Sequence, residues 1–219
     1  MKKLLLLMAA VAAFLPLGAQ GPDHNGIPDD MYYLLPSFGD GYVYFLGQPP
    51  AQGKLNICAL DQSLRFKDKD GKELEASHPE GIVKVLIDTV WFLRSGETFY
   101  RMYPVSADMG VALERKVRIV RGEKEIAYGT SQTASVRQYS SIISNGYSYD
   151  LSDGKHPPLE VNETICLYKG NSVVPVSKKN LRKLFPARKD DIDAWFKDGN
   201  SIPRDVDGVR ALLDSWNRP

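Results

Sequence analysis

The sequence predicts an α+β fold in which an antiparallel β-meander, forming a rolled or two-layer sheet, is followed by a small C-terminal helical cap. Short apolar or alternating runs separated by turn residues fill residues 31–176, a pattern typical of antiparallel strands. The Asp-Lys-Asp-Gly segment at residues 68–71 is a strong hairpin signal within that region. From Ser177 onward, apolar residues recur at helical spacing instead.

The first twenty residues have the features of a secretory signal peptide. Lys2 and Lys3 supply a positive start, residues 4–15 form a short apolar run, and Ala19-Gln20-Gly21 offers a small-x-small cleavage site. We expect residues 1–20 to be removed on export, which makes the mature protein periplasmic or secreted. No cysteine stands at the cleavage site and no later apolar stretch has the length of a spanning helix, so neither a lipid anchor nor a transmembrane segment is expected in the mature chain.

The β region follows a solvated lead-in at residues 21–30. Its strands are expected to be neighbours in space when they are neighbours in sequence, because consecutive hairpins usually pair. Residues 129–144 are rich in Ser, Thr and Gln and predict neither helix nor strand. Strands are predicted at residues 31–35, 42–46, 54–60, 63–67, 72–76, 82–87, 90–94, 98–103, 111–121, 147–151, 163–169 and 173–176.

The helical region, residues 177–219, contains three short helices. Ser177 is expected to cap the first, Pro186 to open the second and Gly199 to end it, and Asp205 to cap the third. Helices of this length are unstable alone, so their apolar faces must pack on the β region or on one another.

Composition limits the classes of partner. The 28 Lys and Arg residues are nearly cancelled by 27 Asp and Glu, giving a net charge of +1. A nucleic-acid-binding protein usually has a basic excess that neutralises phosphates, so nucleic acid is not an expected partner.

Cys58 and Cys166 both lie in strand-like segments, and in an oxidising compartment they have two interpretations. A disulfide between them would close a loop of about a hundred residues and stabilise the fold by roughly 4–5 kcal/mol. Alternatively, they are two separate buried thiols that pack as small hydrophobic groups. A catalytic thiol is not expected, because neither cysteine has a histidine or a helix start nearby to lower its pKa.

A set of turn and core patterns runs from about Gly41 to Trp216. This set resembles uncharacterised exported proteins from Bacteroidota. The resemblance implies a β-rich envelope or secreted protein, and it implies no activity, cofactor or site residue. The patterns are Gly-Tyr-Val-Tyr-Phe at 41–45, Lys-Leu-Asn at 54–56, Phe-Lys-Asp at 66–68 with Gly-Lys-Glu-Leu at 71–74, residues 83–88 with Phe92 and 99–101, and the tail Lys-Lys-Asn-Leu-Arg-Lys-Leu-Phe-Pro at 178–186.

No catalytic, cofactor-binding or metal-binding residue is predicted. Ser152 and Lys155 have the Ser-x-x-Lys spacing of some acyl-transfer enzymes, but the Asp-Gly between them predicts a turn in place of the helix that this pair requires. His24, His78 and His156 lack partners at metal-ligand spacing and are interpreted as surface loop residues.

Two surfaces are candidates for ligand contact. The first is the polar, turn-rich segment at residues 129–149 with Tyr139, Tyr147 and Tyr149, because loop tyrosines form binding platforms for sugars or proteins; the alternative is that they are ordinary strand tyrosines. The second is a basic concentration that either contacts lipopolysaccharide or another anionic envelope polymer or, as the pattern favours, is the solvated side of amphipathic helices. It consists of Lys178, Lys179, Arg182, Lys183, Arg188 and Lys189.

The leading functional hypothesis is a non-catalytic binding module that takes an envelope or extracellular protein or glycan. It follows from the missing catalytic motifs and from the segment rich in Ser, Thr and Tyr. Two alternatives remain: a secreted hydrolase whose site is assembled only by the fold, and a structural envelope component that assembles through a sheet edge.

Overall fold

The computed structural model describes His24, residues 27–77, 79–119 and 159–217, and the backbone of two further strands at Ser141–Ser144 and Tyr147–Asp150. The predicted signal peptide lies outside these residues. So do residues 21–23, 25 and 26 of the predicted lead-in.

Ten strands form one antiparallel sheet, with a separate two-stranded hairpin, and the few helices lie mostly at the C-terminal end. This confirms the mostly β fold with helices that the alternating runs predict. The strands of the large sheet are β1 Gly39–Phe45, β2 Ala51–Ile57, β3 Leu64–Lys67, β4 Glu73–Glu75, β5 Ile82–Ile87, β6 Val90–Ser95, β7 Thr98–Pro104, β8 Met109–Ile119, β11 Leu159–Lys169 and β12 Ser172–Pro175, while β9 Ser141–Ser144 pairs with β10 Tyr147–Asp150.

The order of the large sheet is β4-β3-β2-β1-β5-β6-β7-β8-β11-β12. Sequence neighbours pair throughout β1–β4 and again throughout β5–β8. One exception is β5, which returns through a 3-10 turn at Pro79–Gly81 to pair with β1 and not with β4, and the other is β11, which pairs with β8. The physical reason is length, because β4 has only three residues and its outer edge offers few hydrogen bonds, whereas β1 has seven.

The sheet curls so that the turn after β2 contacts β7 and β8. The Val117 amide donates to the Ala59 carbonyl at 2.9 Å. Gln62, which is buried and has a φ of 58°, accepts from the Phe99 amide at 3.1 Å and donates to the Arg115 carbonyl at 3.1 Å. The inner face encloses a core of fully buried apolar side chains: Ile57, Val85, Ile87, Phe92 and Phe99.

The helices α2 Lys178–Leu184, α3 Lys189–Lys197 and α4 Val206–Asn217 form a second core with β8 and β11. Their starts match the predicted signals, since Ser177 Oγ accepts from the Asn180 amide at 3.3 Å and Asp205 Oδ1 accepts from the Gly208 amide at 2.7 Å. Gly199 follows α3 with a φ of 83°. The most buried members of this core are Val111, Leu167, Leu181, Ile192, Val209 and Leu213.

The strand predicted at residues 31–35 is wrong. The chain forms a short helix there, α1 Asp29–Tyr32, followed by a single bridge between Tyr33 and Cys58. The Pro28 carbonyl accepts from the amides of Met31 and Tyr32, and the two aspartates of the first turn suit the positive end of a helix. This local start signal outweighs the apolar pattern of the following residues.

Cys58 and Cys166 are both free buried thiols, which agrees with the interpretation as two separate thiols and not with a disulfide. Cys58 packs in a cluster with Tyr32 and Tyr33, whereas Cys166 packs in a different cluster with Leu93. Burial raises the pKa of Cys58 to about 11, and burial also raises the pKa of Cys166. Both thiols therefore stay protonated and unreactive at neutral pH.

Within the part of the chain that the structure describes, no helix has both the length and the apolar character needed to cross a bilayer.

Candidate functional site

The basic concentration at the start of the helical region forms one groove. Four of its cations lie on α2 and are exposed, whereas Leu181 of the same helix is fully buried in the core that the helices form with β8 and β11. The groove has a volume of about 680 Å³, and its lining residues are Lys178, Lys179, Arg182, Lys183, Pro186 and Lys189.

The charges of this basic groove are only partly paired. Asp193 on α3 forms an ion pair with Lys178 at 2.8 Å, and its carboxylate also lies 3.7 Å from the guanidinium of Arg182. The hydrogen bond from Lys178, with the charge of Arg182, holds the pKa of the Asp193 carboxyl below its usual range. Asp193 therefore stays charged and offsets one of the lining cations.

The remaining cations are exposed and unpaired. Among the described residues, no carboxylate lies within ion-pair distance of Lys179, Lys183 or Lys189. Residues 178–193 contain six Lys and Arg residues and three Asp residues, an excess of three positive charges, although the whole chain carries only +1. Such a local excess attracts anions, and salt screens the attraction because the groups are exposed.

The lining of the basic groove is cationic. Among the described residues, it offers ammonium and guanidinium donors and the ring of Pro186. Lysine acts as a mobile point charge, which suits phosphate, sulfate or carboxylate groups without fixing their geometry. The arrangement is suited to holding a chain of anionic groups.

A second cluster surrounds His24 and joins the lead-in to β4. Tyr33 donates its hydroxyl proton to Glu73, and His24 Nε2 lies 2.8 Å from the same hydroxyl. His24 Nδ1 lies 3.3 Å from Asp29 Oδ1, and the imidazole stacks on Tyr32 with ring centroids 4.1 Å apart. Burial and the hydrogen bond to Glu73 raise the pKa of Tyr33, so this hydroxyl stays a proton donor.

The loop interpretation of His24 therefore missed these contacts. No sequence spacing signals them, because Tyr33 and Glu73 are forty residues apart and meet only through β-sheet pairing. His78 and His156 lie outside the described residues, as do Ser152 and Lys155.

A third polar cluster is structural. Arg65, which is 5% exposed, pairs with Asp61 at 2.8 Å and with Glu75 at 3.0 Å. Burial raises the pKa of Asp61, but hydrogen bonds from Ser63 and the charge of Arg65 outweigh this effect, and the net pKa is lowered. Because Arg65 is paired with two carboxylates, this cluster links β3 to β4 and to the turn before β3.

The outer face of the sheet carries a small aromatic patch, defined as Tyr42, Tyr44 and Trp91. Tyr42 and Trp91 both register with Leu86 of β5, and the rings of Tyr44 and Trp91 are 5.4 Å apart. Tyr42 is 40% exposed and Trp91 is 38% exposed, which together is roughly 150 Å² if an aromatic side chain has about 200 Å². A stable protein interface buries about 800 Å² per partner, so this patch alone is too small to be one.

The predicted tyrosine contact surface cannot be placed. Tyr139 lies outside the described residues. Tyr147 and Tyr149 belong to β10, where their backbones pair with Ser144 and Ile142, and only the backbone is described there. This contact surface stays a prediction.

Comparison with known proteins identifies no relative. No family model matches the chain, and neither a curated protein nor a solved structure is similar to it. The resemblance to exported proteins of Bacteroidota accordingly remains a prediction.

Proposed function

We propose that this protein is a non-catalytic binding protein of the cell envelope or extracellular space, and that it binds an anionic envelope glycan through the basic groove. The observation that carries this proposal is the local excess of three positive charges at residues 178–193 in a chain of net charge +1. Such a cluster of like charges is costly to fold, so a binding role gives it a physical reason.

The openness of the basic groove favours a polymer over a small ligand. All five cations that line it are exposed, so each pairing with an anion contributes at most about 1 kcal/mol. A polymer with repeated phosphate or carboxylate groups adds several such pairings within one molecule, which raises the affinity through effective concentration. The proposed export of the chain, which rests on the predicted signal peptide, supplies the compartment where such polymers occur.

Assembly through a sheet edge receives less support. The two outermost strands, β4 and β12, have three and four residues, and Pro175 ends β12. Short edge strands and proline are features that prevent edge-to-edge pairing.

The test compares the triple variant Lys179→Gln, Lys183→Gln and Lys189→Gln with a matched control, Lys69→Gln, Lys72→Gln and Lys169→Gln. Both remove three charges from exposed lysines, but only the first removes them from the basic groove. Binding to purified lipopolysaccharide and to a neutral polysaccharide is measured by calorimetry at several NaCl concentrations.

We expect the groove variant to bind lipopolysaccharide about 10- to 100-fold more weakly, since three exposed pairings contribute about 1.5–3 kcal/mol in total. The control should bind like the wild type, and wild-type affinity should fall with rising salt. Equal losses in both variants would indicate a general charge effect. Salt-independent binding of the neutral polysaccharide alone would contradict the proposal and move the ligand site to the aromatic patch.

A further inference from the structure

A small notch lies on the inner face of the sheet, beside the buried side chain of Phe92. It is separate from the basic groove. Its volume is about 90 Å³, and the residues that line it are Leu34, Phe92, Arg101, Leu113, Arg115 and Glu163. We call it the arginine notch.

The strand register explains how two arginines reach this face. Phe92 of β6 pairs with Arg101 of β7, and Arg101 pairs with Leu113 of β8, so these three side chains lie in one row. Arg115 follows Leu113 by two residues on the same face and pairs with Glu163 of β11. The row therefore carries apolar groups beside guanidinium groups.

Arg115 has a hydrogen-bond donor without an acceptor. Its Nη2 donates to the Asp30 carbonyl at 3.2 Å, but its Nε is buried and makes no hydrogen bond within the described part of the chain. The nearest carboxylate oxygen, Glu163 Oε1, is 3.8 Å from Nε, which is beyond hydrogen-bonding distance. This donor is therefore available to a ligand or a water in the notch.

We propose that the arginine notch binds the carboxylate group of a small monocarboxylate, with its alkyl part against Leu34, Phe92 and Leu113. A planar guanidinium matches a carboxylate through two parallel hydrogen bonds, and Arg115 and Arg101 both line the notch. Two arginines and Glu163 give the notch a charge of +1, which a single carboxylate neutralises.

The size of the notch agrees with this class of ligand. A volume of about 90 Å³ is larger than a single water site and small for a drug-sized ligand, which suits a carboxylate with a short alkyl chain. An inorganic phosphate dianion would carry more charge than the notch neutralises, and it would leave the apolar wall unused. Phosphate is therefore the discriminating control.

The test titrates acetate, propionate, butyrate and inorganic phosphate into the full-length protein. The methyl NMR signals of Leu34 and Leu113 report on occupation of the notch. We expect saturable shifts of both signals with the monocarboxylates, most strongly with propionate or butyrate, and weaker shifts with phosphate.

Variants of opposite expected effect make the test sharp. Arg115→Gln removes the guanidinium group and should weaken propionate binding about ten-fold. Arg115→Lys keeps the charge and should bind propionate with an affinity between those of the wild type and Arg115→Gln. Glu163→Gln removes the competing carboxylate and should strengthen binding several-fold. Glu160→Gln, on the same strand and three residues away, is the matched control and should leave the affinity unchanged.

Glu163 is 54% exposed, so its substitution is compatible with folding even where an Arg115 variant unfolds. Absence of saturable methyl shifts means that the notch holds water only and overturns the proposal. So does unchanged or weaker propionate binding in Glu163→Gln, or tighter binding of phosphate than of propionate. Propionate binding at the notch is independent of the basic groove. The triple variant Lys179→Gln, Lys183→Gln and Lys189→Gln should therefore bind propionate as the wild type does.

Discussion

The two ends of the sheet use their charged side chains differently. Around β2–β4, Arg65 is held between Asp61 and Glu75, and Lys54 lies 3.5 Å from Asp40. On the helices that cover β8–β12, three exposed lysines of the basic groove, Lys179, Lys183 and Lys189, have no carboxylate partner among the described residues. The comparison shows that similar charged residues stabilise the fold at one end and accumulate unbalanced charge at the other, where a ligand supplies the missing partner.

The two ends also have separate apolar cores that share the central strands. Phe99 of β7 belongs to the first core, while Tyr103 of the same strand packs on the second. The sharing of β7 predicts that the two cores unfold together, because a strand cannot leave one core while remaining in the other.

The largest expected effect tests this coupling. Ile87→Ala in the first core and Leu213→Ala in the second each remove a fully buried aliphatic side chain. Each should lower the free energy of unfolding by about 2–5 kcal/mol, in a single urea transition. Two transitions in Leu213→Ala, with helical signal lost first, would show that the helices unfold as an independent unit.

The prediction of intermediate size concerns the contribution of the buried Cys58 thiol to stability. Burial raises the pKa of Cys58 from 9.0 to about 11, so the folded protein holds this proton more tightly than the unfolded chain. The sign follows from linkage: this contribution is complete below pH 9 and is lost as the pH rises to about 11. A shift of about two units corresponds to about 2–3 kcal/mol.

The measurement is the free energy of unfolding of the wild type and of Cys58→Ala between pH 8 and about 11, under reducing conditions. The variant should lose less stability over this interval, although Tyr32 and Tyr33, whose pKa values burial also raises, keep part of the dependence. Identical pH profiles would contradict the assigned role of the thiol.

The smallest expected effect is the loss of repulsion between two lysines of the basic groove. Lys179 and Lys183 are separated by one helical turn and repel each other, so Lys183→Gln should stabilise the protein by about 0.2–0.5 kcal/mol. Lys69→Gln, in the exposed hairpin turn, should change stability less than this. The measurement is the urea midpoint at low salt, and the difference should shrink at high salt. A destabilised Lys183→Gln would indicate that this lysine has a structural partner.

Much of the local structure was predictable from neighbouring residues. The turn at residues 68–71 forms as expected, with Asp68 Oδ1 accepting from the amides of Asp70 and Lys72 and with Gly71 at a φ of 76°. The caps at Ser177 and Asp205 were equally readable, because such hydrogen bonds span only three residues. The helix at Asp29–Tyr32 was missed, since an apolar run of five residues does not distinguish a strand from a short helix.

The candidate sites were harder to predict from the sequence. The cations of the basic groove were visible as a run in the sequence, but the same run fits any solvated helix, and only the placement of α2 beside Lys189 shows that they line one concavity. The contacts of His24 and the composition of the arginine notch had no sequence signal at all, because their members come from segments far apart in the chain.

The amino-acid order by itself determined the β-rich class, the positions of most turns and the starts of the C-terminal helices. These depend on backbone preferences and on hydrogen bonds between residues within one or two turns of each other. Tertiary structure alone decided that β5 joins β1, that Cys58 and Cys166 remain apart, and that Arg101, Arg115 and Glu163 meet beside an apolar wall. Long-range pairing selects among many alternatives of similar local energy, and the selection depends on the burial of the whole core.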